Sequence, residues 1–300
     1  MSKKSVEHKP SETARGTALF RTIANKEFDD EKFGSDYLAE YFLPFLLKYL
    51  IKAKGFRARV KNKIPLGMYE YLIARTAYFD NLFVNALNKN IPQIVLLGAG
   101  YDTRAYRFAK LNKGTKIIEL DVPTTQNNKN KCLRKSKIEI SSNVVFTSVN
   151  FDRESLKIVL EKAGYNNNLK TLFLWEGVSY YLEPESVNTT LEFVRNHSHN
   201  ESIIAFDYVI SIPIEKVHNY YGVAEISQSM ANRHPDERIK FTIEEEKIES
   251  FLEQRGLKMV ELLNNREIEN RFLTTENGSL IGQITECFRF VLASPISKQV

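Results

Sequence analysis

The sequence predicts an α/β fold on a doubly wound, mostly parallel sheet. Three observations lead there. After residue 92, short apolar runs rich in β-branched and aromatic residues recur, each separated from the next by room for a helix. The first run ends in a glycine turn, Gly98-Ala99-Gly100. The stretch from Ser11 to about Asn90 instead carries its apolar residues at helical spacings of three and four.

The elements follow in order. Residues 1–10 are polar and basic and read as a flexible tail. Residues 11–90 form a helical segment: Ala14, Ala18, Arg21 and Thr22 share helical spacing. Tyr37, Leu38, Tyr41, Phe42, Phe45, Leu46, Tyr49 and Leu50 make an amphipathic stripe that Pro44 bends or restarts. A helix from about Gly67 to Leu87 presents Leu72, Thr76, Phe79 and Phe83. Strands are predicted at Ile94–Leu97, Lys116–Leu120, Val144–Val149, Thr171–Trp175 and Ser202–Phe206. Pro184 opens a helix with Val187, Leu191 and Val194 on one face. A late helix holding Ile248, Phe251 and Leu252 stops at Gly256, and Leu257–Leu263 and Cys287–Leu292 close the sheet. With no repeat and no linker, residues 11–300 read as one domain.

Composition narrows the class. The 300 residues are 43% hydrophobic and 26% charged with a net charge of +5, which excludes a disordered chain and is too modest to point to nucleic acid. Two cysteines, Cys132 and Cys287, are too few for a disulfide framework or a zinc cluster. Met1–Pro10 has no apolar run after it, so no secretory leader is read and a cytoplasmic protein is expected. Tyr41–Ile51, the most apolar stretch, is too short to span a bilayer and contains Pro44 and Lys48, so no membrane partner is expected either. Seven basic residues and no acid lie between Lys48 and Lys63. They read as a solvated helix connection in preference to a patch for an anionic partner.

Chemistry concentrates around Gly98 and Gly100. In doubly wound sheets the turn after the first strand is where nucleotides bind, and glycines there let backbone and ligand approach closely. A carboxylate after the second strand holds the ribose; Asp121 and Glu119 both qualify, since strand alternation puts them on one face. The dinucleotide fingerprint wants a third small residue where this chain has Thr103. A nucleoside ligand without phosphates, such as S-adenosylmethionine, does not need it. Asn150-Phe151-Asp152 offers adenine an apolar slot with a polar edge. Arg75 offers the amino acid tail a planar fork, and Glu176 offers its cationic groups an acceptor. The plainer alternatives are an Arg75–Asp80 surface pair and a helix-capping Glu176.

These segments resemble the leucine carboxyl methyltransferase family, in particular its bacterial and fungal O-methyltransferase branch. The likeness rests on Ser11–Ile23, Ala74-Arg75-Thr76 with Asp80, Leu97–Phe108, Glu119–Pro123, Val149–Asp152 and Glu176–Leu182. It implies a class I methyltransferase-like fold with a seven-stranded sheet and a helical lid. Together with the chemistry around Gly98, it divides the domain into a cofactor-binding core expected at 91–210, a substrate lid expected at 211–245 and closing elements at 246–300. It also implies that S-adenosyl-L-methionine is the cofactor and that an O-methyltransferase acts on a carboxylate or hydroxyl acceptor, a small molecule or a protein C-terminus. Arg75 would bind the methionine carboxylate, Gly98 and Gly100 would pass under the cofactor, and Asp121 would hold the ribose. Asn150 and Phe151 would sit at the adenine, Glu176 at the amino end, and Tyr181 near the transferring methyl. The family often has Asp at the position of Asn150, and Ile212–Phe241 matches it poorly. Two other functions are a non-catalytic S-adenosylmethionine-binding regulator and a nicotinamide-dependent oxidoreductase. No metal site is read: His197 and His199 lack partners at metal spacing, and His218 and His234 read as exposed loop histidines. Cys132 sits among Lys129, Lys131 and Arg134, charges that could lower its pKa.

Overall fold

A computed structural model describes residues 9–28, 31–231 and 237–297. The expected tail at residues 1–8 and His234 lie outside the described residues. The first strands are β1 (Gln93–Leu97), β2 (Lys116–Asp121), β3 (Val144–Ser148), β4 (Thr171–Trp175) and β5 (Ile203–Ser211). They are followed by β6 (Ile243–Glu244), β7 (Leu257–Leu263) and β8 (Phe288–Pro295). The main path of the sheet runs β3-β2-β1-β4-β5-β8-β7. Every pair along it is parallel except those of β8, which runs antiparallel to β5 and β7. The predicted seven strands are all present, and β6 adds a two-residue eighth beside the end of β5. Nothing in so short a pairing could mark it in the sequence. β1 and β4 are buried throughout and apolar after Gln93 and Thr171 at their starts, as expected of strands covered on both faces.

The chain leaves β1 for β2 and β3 on one side and returns to β4 on the other. The carboxyl ends of β1 and β4 therefore face a crevice at the switch in strand order, where open α/β sheets bind ligands. The helix Met68–Asn88 covers this region. Its Tyr71 and Tyr78 stack on Phe288 and Phe290 of β8, with ring centroids 3.8 and 4.7 Å apart. Such aromatic burial contributes on the order of 3–5 kcal/mol per ring lost to alanine, so this helix is anchored firmly.

The N-terminal helix Glu12–Glu27 is capped by Ser11, whose Oγ accepts from the Ala14 N–H at 3.0 Å. The stripe from Tyr37 to Leu50 restarts at Pro44, one of the two outcomes expected there. Pro44 splits it into a 3₁₀ turn, Ala39–Phe42, and a short helix, Phe45–Leu50. The first half buries Leu38 and Phe42, while Phe45, Leu46, Tyr49 and Leu50 stand exposed. The basic segment is a helix, Lys54–Lys61, and not merely a solvated connection. Arg57 is buried, and with Lys61 it reaches Glu27. No helix among the described residues is long and apolar enough to cross a membrane.

Candidate functional site

At the end of β1 the chain enters its glycine turn. Gly98 sits at φ +76°, and a Cβ there would lie 2.5 Å from Val178 Cγ2, so only glycine fits. The turn then binds back onto β2. Ala99 N–H donates to Leu120 O at 2.7 Å, and Gly100 N–H donates to Asp121 Oδ2 at 2.5 Å. Val122 N–H donates to the other Asp121 oxygen at 2.7 Å. Burial pushes the Asp121 carboxyl up to about 6 despite these two donors. Asp121 lines a cavity of about 300 Å³. Glu119 does not; it is buried against Lys129 Nζ at 2.6 Å and Tyr106 Oη at 3.0 Å. Of the two carboxylates that the spacing left open, only Asp121 reaches the cavity.

Beneath the cavity runs an alternating chain of buried charges. Asp36 pairs with Arg21 and Arg107, and Asp80 with Arg107 and Arg104. Arg104 continues to Asp102 and Glu176, and Arg75 joins Glu176 to Asp207. Arg104 and Arg107 can both grip Asp80 because three residues apart on a helical turn they share a face. Burial alone would raise the Asp80 carboxyl, but Arg107 and Arg104 overrule it and hold it at about 2. The helix expected after the glycine turn is only one turn, Arg104–Arg107.

Arg75 is thus no surface partner of Asp80. It is buried, with Nε on Glu176 at 3.0 Å and Nη1 near Tyr180 Oη and Asp207 at 3.3 and 3.4 Å. Asp207 is held by the Gly177 N–H at 2.6 Å and by a very short hydrogen bond from Tyr71 Oη. Burial raises its carboxyl, and Arg75 opposes the shift. Gly177, at φ +69°, has no room for a side chain, because a Cβ would meet Arg75 Nη1 at 2.7 Å. The guanidinium lies against that backbone, and its Nη2 makes no hydrogen bond among the described residues.

The cavity gathers Arg75, Gly98, Gly100, Asp121, Phe151, Glu176 and Tyr181 from five separate segments. Asn150 is not brought to it. Its Oδ1 accepts from the Asp152 N–H at 3.1 Å and its own N–H donates to Glu154, a local turn outside the cavity lining. Several lining residues carried no role in the sequence reading. The N-terminal helix contributes Ala14, Thr17 and Phe20, and Ile64, Pro65 and Met68 add an apolar wall. The poorly matching segment 212–241 contributes Ile226, Ser229, Met230 and Glu237. Glu237 accepts from Ser11 Oγ at 2.9 Å and from Thr13 N–H at 3.0 Å, joining lid segment to N-terminal helix. Only the segment Ser11–Ile23, conspicuous as a motif but without titratable clusters, could have hinted at this closure.

The remaining candidates fall away from the cavity. No group of three or more His, Cys, Asp or Glu suited to a metal ion occurs among the described residues. His199 Nδ1 accepts from the Glu201 N–H, and His197 packs on Phe193. Burial raises the Cys132 thiol more than Lys48, Lys131 and Lys135 lower it, the reverse of an activated nucleophile.

Comparison with known proteins bears on the family and the fold. The sequence pattern of the family described as "Leucine carboxyl methyltransferase" matches residues 14–195. The chain is 28% identical over 208 residues to "Putative S-adenosyl-L-methionine-dependent methyltransferase YktD" of Bacillus subtilis, covering 69% of this chain and 67% of that one. A Mycobacterium avium relative of the same description is 28% identical over 206 residues, 67% of each chain. Among solved structures, a methyltransferase-fold protein from Thermobifida fusca superposes over 96% of both chains with a TM-score of 0.59 at 13% identity, a likeness of fold.

Proposed function

We propose that this chain, which belongs to the leucine carboxyl methyltransferase family and is an S-adenosylmethionine-dependent methyltransferase, transfers the methyl group to oxygen. The acceptor group is a carboxylate or hydroxyl. The observation that carries this reading is one cavity in which the Asp121 carboxylate and the Arg75 cradle meet an apolar wall with Tyr181 beside it. The residues present suit the cofactor. Arg75 has Nη2 unspent for a carboxylate, and Asp121 can accept from ribose hydroxyls. The buried chain holds four arginines (21, 75, 104, 107) and five carboxylates (36, 80, 102, 176, 207), so acidic groups face the cationic end of such a ligand.

When bound, S-adenosylmethionine supplies a methyl group already activated on a sulfonium. The chain's own work is alignment and exclusion of water. Alignment can be worth ~7–11 kcal/mol, more than a general base typically adds. Arg75 and Glu176 would fix the two polar ends of the amino acid tail, Asp121 the ribose, and Phe151 one face of the adenine. Gly98 and Gly100 let the backbone pass beneath. Phe20, Ile64, Met68, Ile226 and Met230 would close an apolar chamber over the acceptor. Tyr181 would border the transferring methyl.

A panel of carboxylates and phenols followed by mass spectrometry tests this. A gain of one methyl on oxygen is expected, and Tyr181→Phe should lower kcat more than cofactor affinity. Transfer to nitrogen or sulfur acceptors alone would overturn the oxygen assignment. Binding of cofactor with no transfer to any class would favour the non-catalytic regulator.

A further inference from the structure

We infer that the face formed by the helix Phe45–Leu50 and the basic turn after it docks on an anionic lipid bilayer. Phe45, Leu46 and Tyr49 are 87%, 66% and 67% exposed, and Leu50 is exposed beside them. Four large apolar side chains within six residues are not the scattered exposure that any surface shows. They are displayed deliberately in one sense: Pro44 restarts the chain, and buried Ile51 pins the far end of the helix to the core.

Charge selects the occupant. Between Tyr41 and Tyr69 there is no acidic residue and there are seven basic ones. Arg57 and Lys61 are spent internally on Glu27. Lys52, Lys54, Arg59 and Lys63 are exposed, and Lys48 lies over the Tyr41 ring with its Nζ 5.1 Å from the centroid. Lys131 and Lys135, on the helix Pro123–Lys135, adjoin Lys48 around Cys132. A twofold contact between two copies would press this cationic ring onto itself. A protein interface is depleted in lysine, whereas projecting aromatic and leucine side chains ringed by lysine are what a bilayer interface takes. Each cation near an anionic surface is worth about fivefold in partitioning. The expectation of no membrane partner rested on the lack of a spanning segment, which peripheral docking does not require.

Co-sedimentation of the full chain with vesicles of phosphatidylcholine, with and without phosphatidylglycerol, tests the inference. Partitioning at least about tenfold stronger onto the anionic vesicles is expected, weakening with salt. The triple variant Phe45→Ser, Leu46→Ser, Tyr49→Ser and the double variant Lys52→Glu, Lys54→Glu should each lose about tenfold or more. Both should keep wild-type affinity for S-adenosylhomocysteine, which shows that they fold. No binding to anionic vesicles, or equal binding by folded variants, overturns the inference. So does a wild-type dimer in sedimentation equilibrium that the triple variant turns into a monomer.

Discussion

Beneath the cavity, Arg104 alone meets three carboxylates at 2.5–2.7 Å, those of Asp80, Asp102 and Glu176. Above it, the segment that carries Glu237 is joined to the N-terminal helix by two ordinary hydrogen bonds, from Ser11 Oγ and Thr13 N–H. The floor is buried and interlocked, so removing any one charge strands its partners. The cover is held without such a charge network: Lys240 and Phe241 N–H donate to Tyr180 O, and Ile226 and Phe241 are buried. A site that must hold a ligand in fixed geometry yet exchange it needs both: rigidity where the ligand is oriented, and low local stability where it enters.

Breaking the floor should have the largest effect. Arg104→Ala leaves three carboxylates short of a cation and should cost ~3–5 kcal/mol of stability in urea unfolding. A loss below ~1 kcal/mol would mean the network is not coupled. Acid acts on the same region. The folded Asp80 carboxyl, at about 2, lies below its unfolded value, so its contribution is present above about pH 4 and lost as pH falls towards 2.

At the floor's upper edge, Asp207→Asn keeps the shape but removes one of the two carboxylates holding Arg75. Cofactor affinity should fall by about tenfold or more, a loss on the scale of a charged hydrogen bond. Calorimetry showing unchanged affinity would make Asp207 purely structural.

Asp121 joins the two regions, and pH reads it. Its folded carboxyl, at about 6, holds its proton more tightly than the unfolded one, so its contribution to the stability of the ligand-free protein falls as pH rises from about 4 to about 6. Ribose hydroxyls donating to the ionised form would reverse this on binding. S-adenosylhomocysteine affinity should rise about fivefold from pH 5 to 6, and about tenfold in all by the plateau above about pH 7. The step should vanish in Asp121→Asn; its persistence there would assign it elsewhere.

The cover should give the smallest change. Glu237→Gln weakens two hydrogen bonds and should speed cofactor dissociation by about fivefold in stopped flow, with little change in melting temperature. A large loss of stability would make the cover part of the rigid frame.

Part of the site was legible in the sequence because Asp121 and Glu176 lie at strand ends near one glycine turn, where local pattern fixes position. Arg75, in the middle of a helix, could be singled out only by its planar fork, and β1 to β5 were visible as apolar runs. What escaped was pairing over distance. Nothing local shows that Asp207, in the middle of β5, comes within 3.4 Å of Arg75, or that Glu237 caps onto Ser11. The plainer alternative, an Arg75–Asp80 surface pair, does not form, because the turn Arg104–Arg107 supplies both partners of Asp80. Asn150 was matched by motif, and motif alone does not show the local turn that its side chain makes with the Asp152 N–H. The stripe at Tyr37–Leu50 has helical spacing throughout, and periodicity cannot say that only its first half faces the core.

The most direct test is calorimetric titration of S-adenosylmethionine, S-adenosylhomocysteine and NAD into the wild-type protein, Arg75→Ala and Asp121→Ala. The account predicts saturable binding of the first two ligands only, with affinity falling by about a hundredfold or more in either variant as charge-assisted contacts to the tail or ribose are lost. Wild-type affinity in both variants, from proteins that remain folded, would place the cofactor outside this cavity and contradict the assignment.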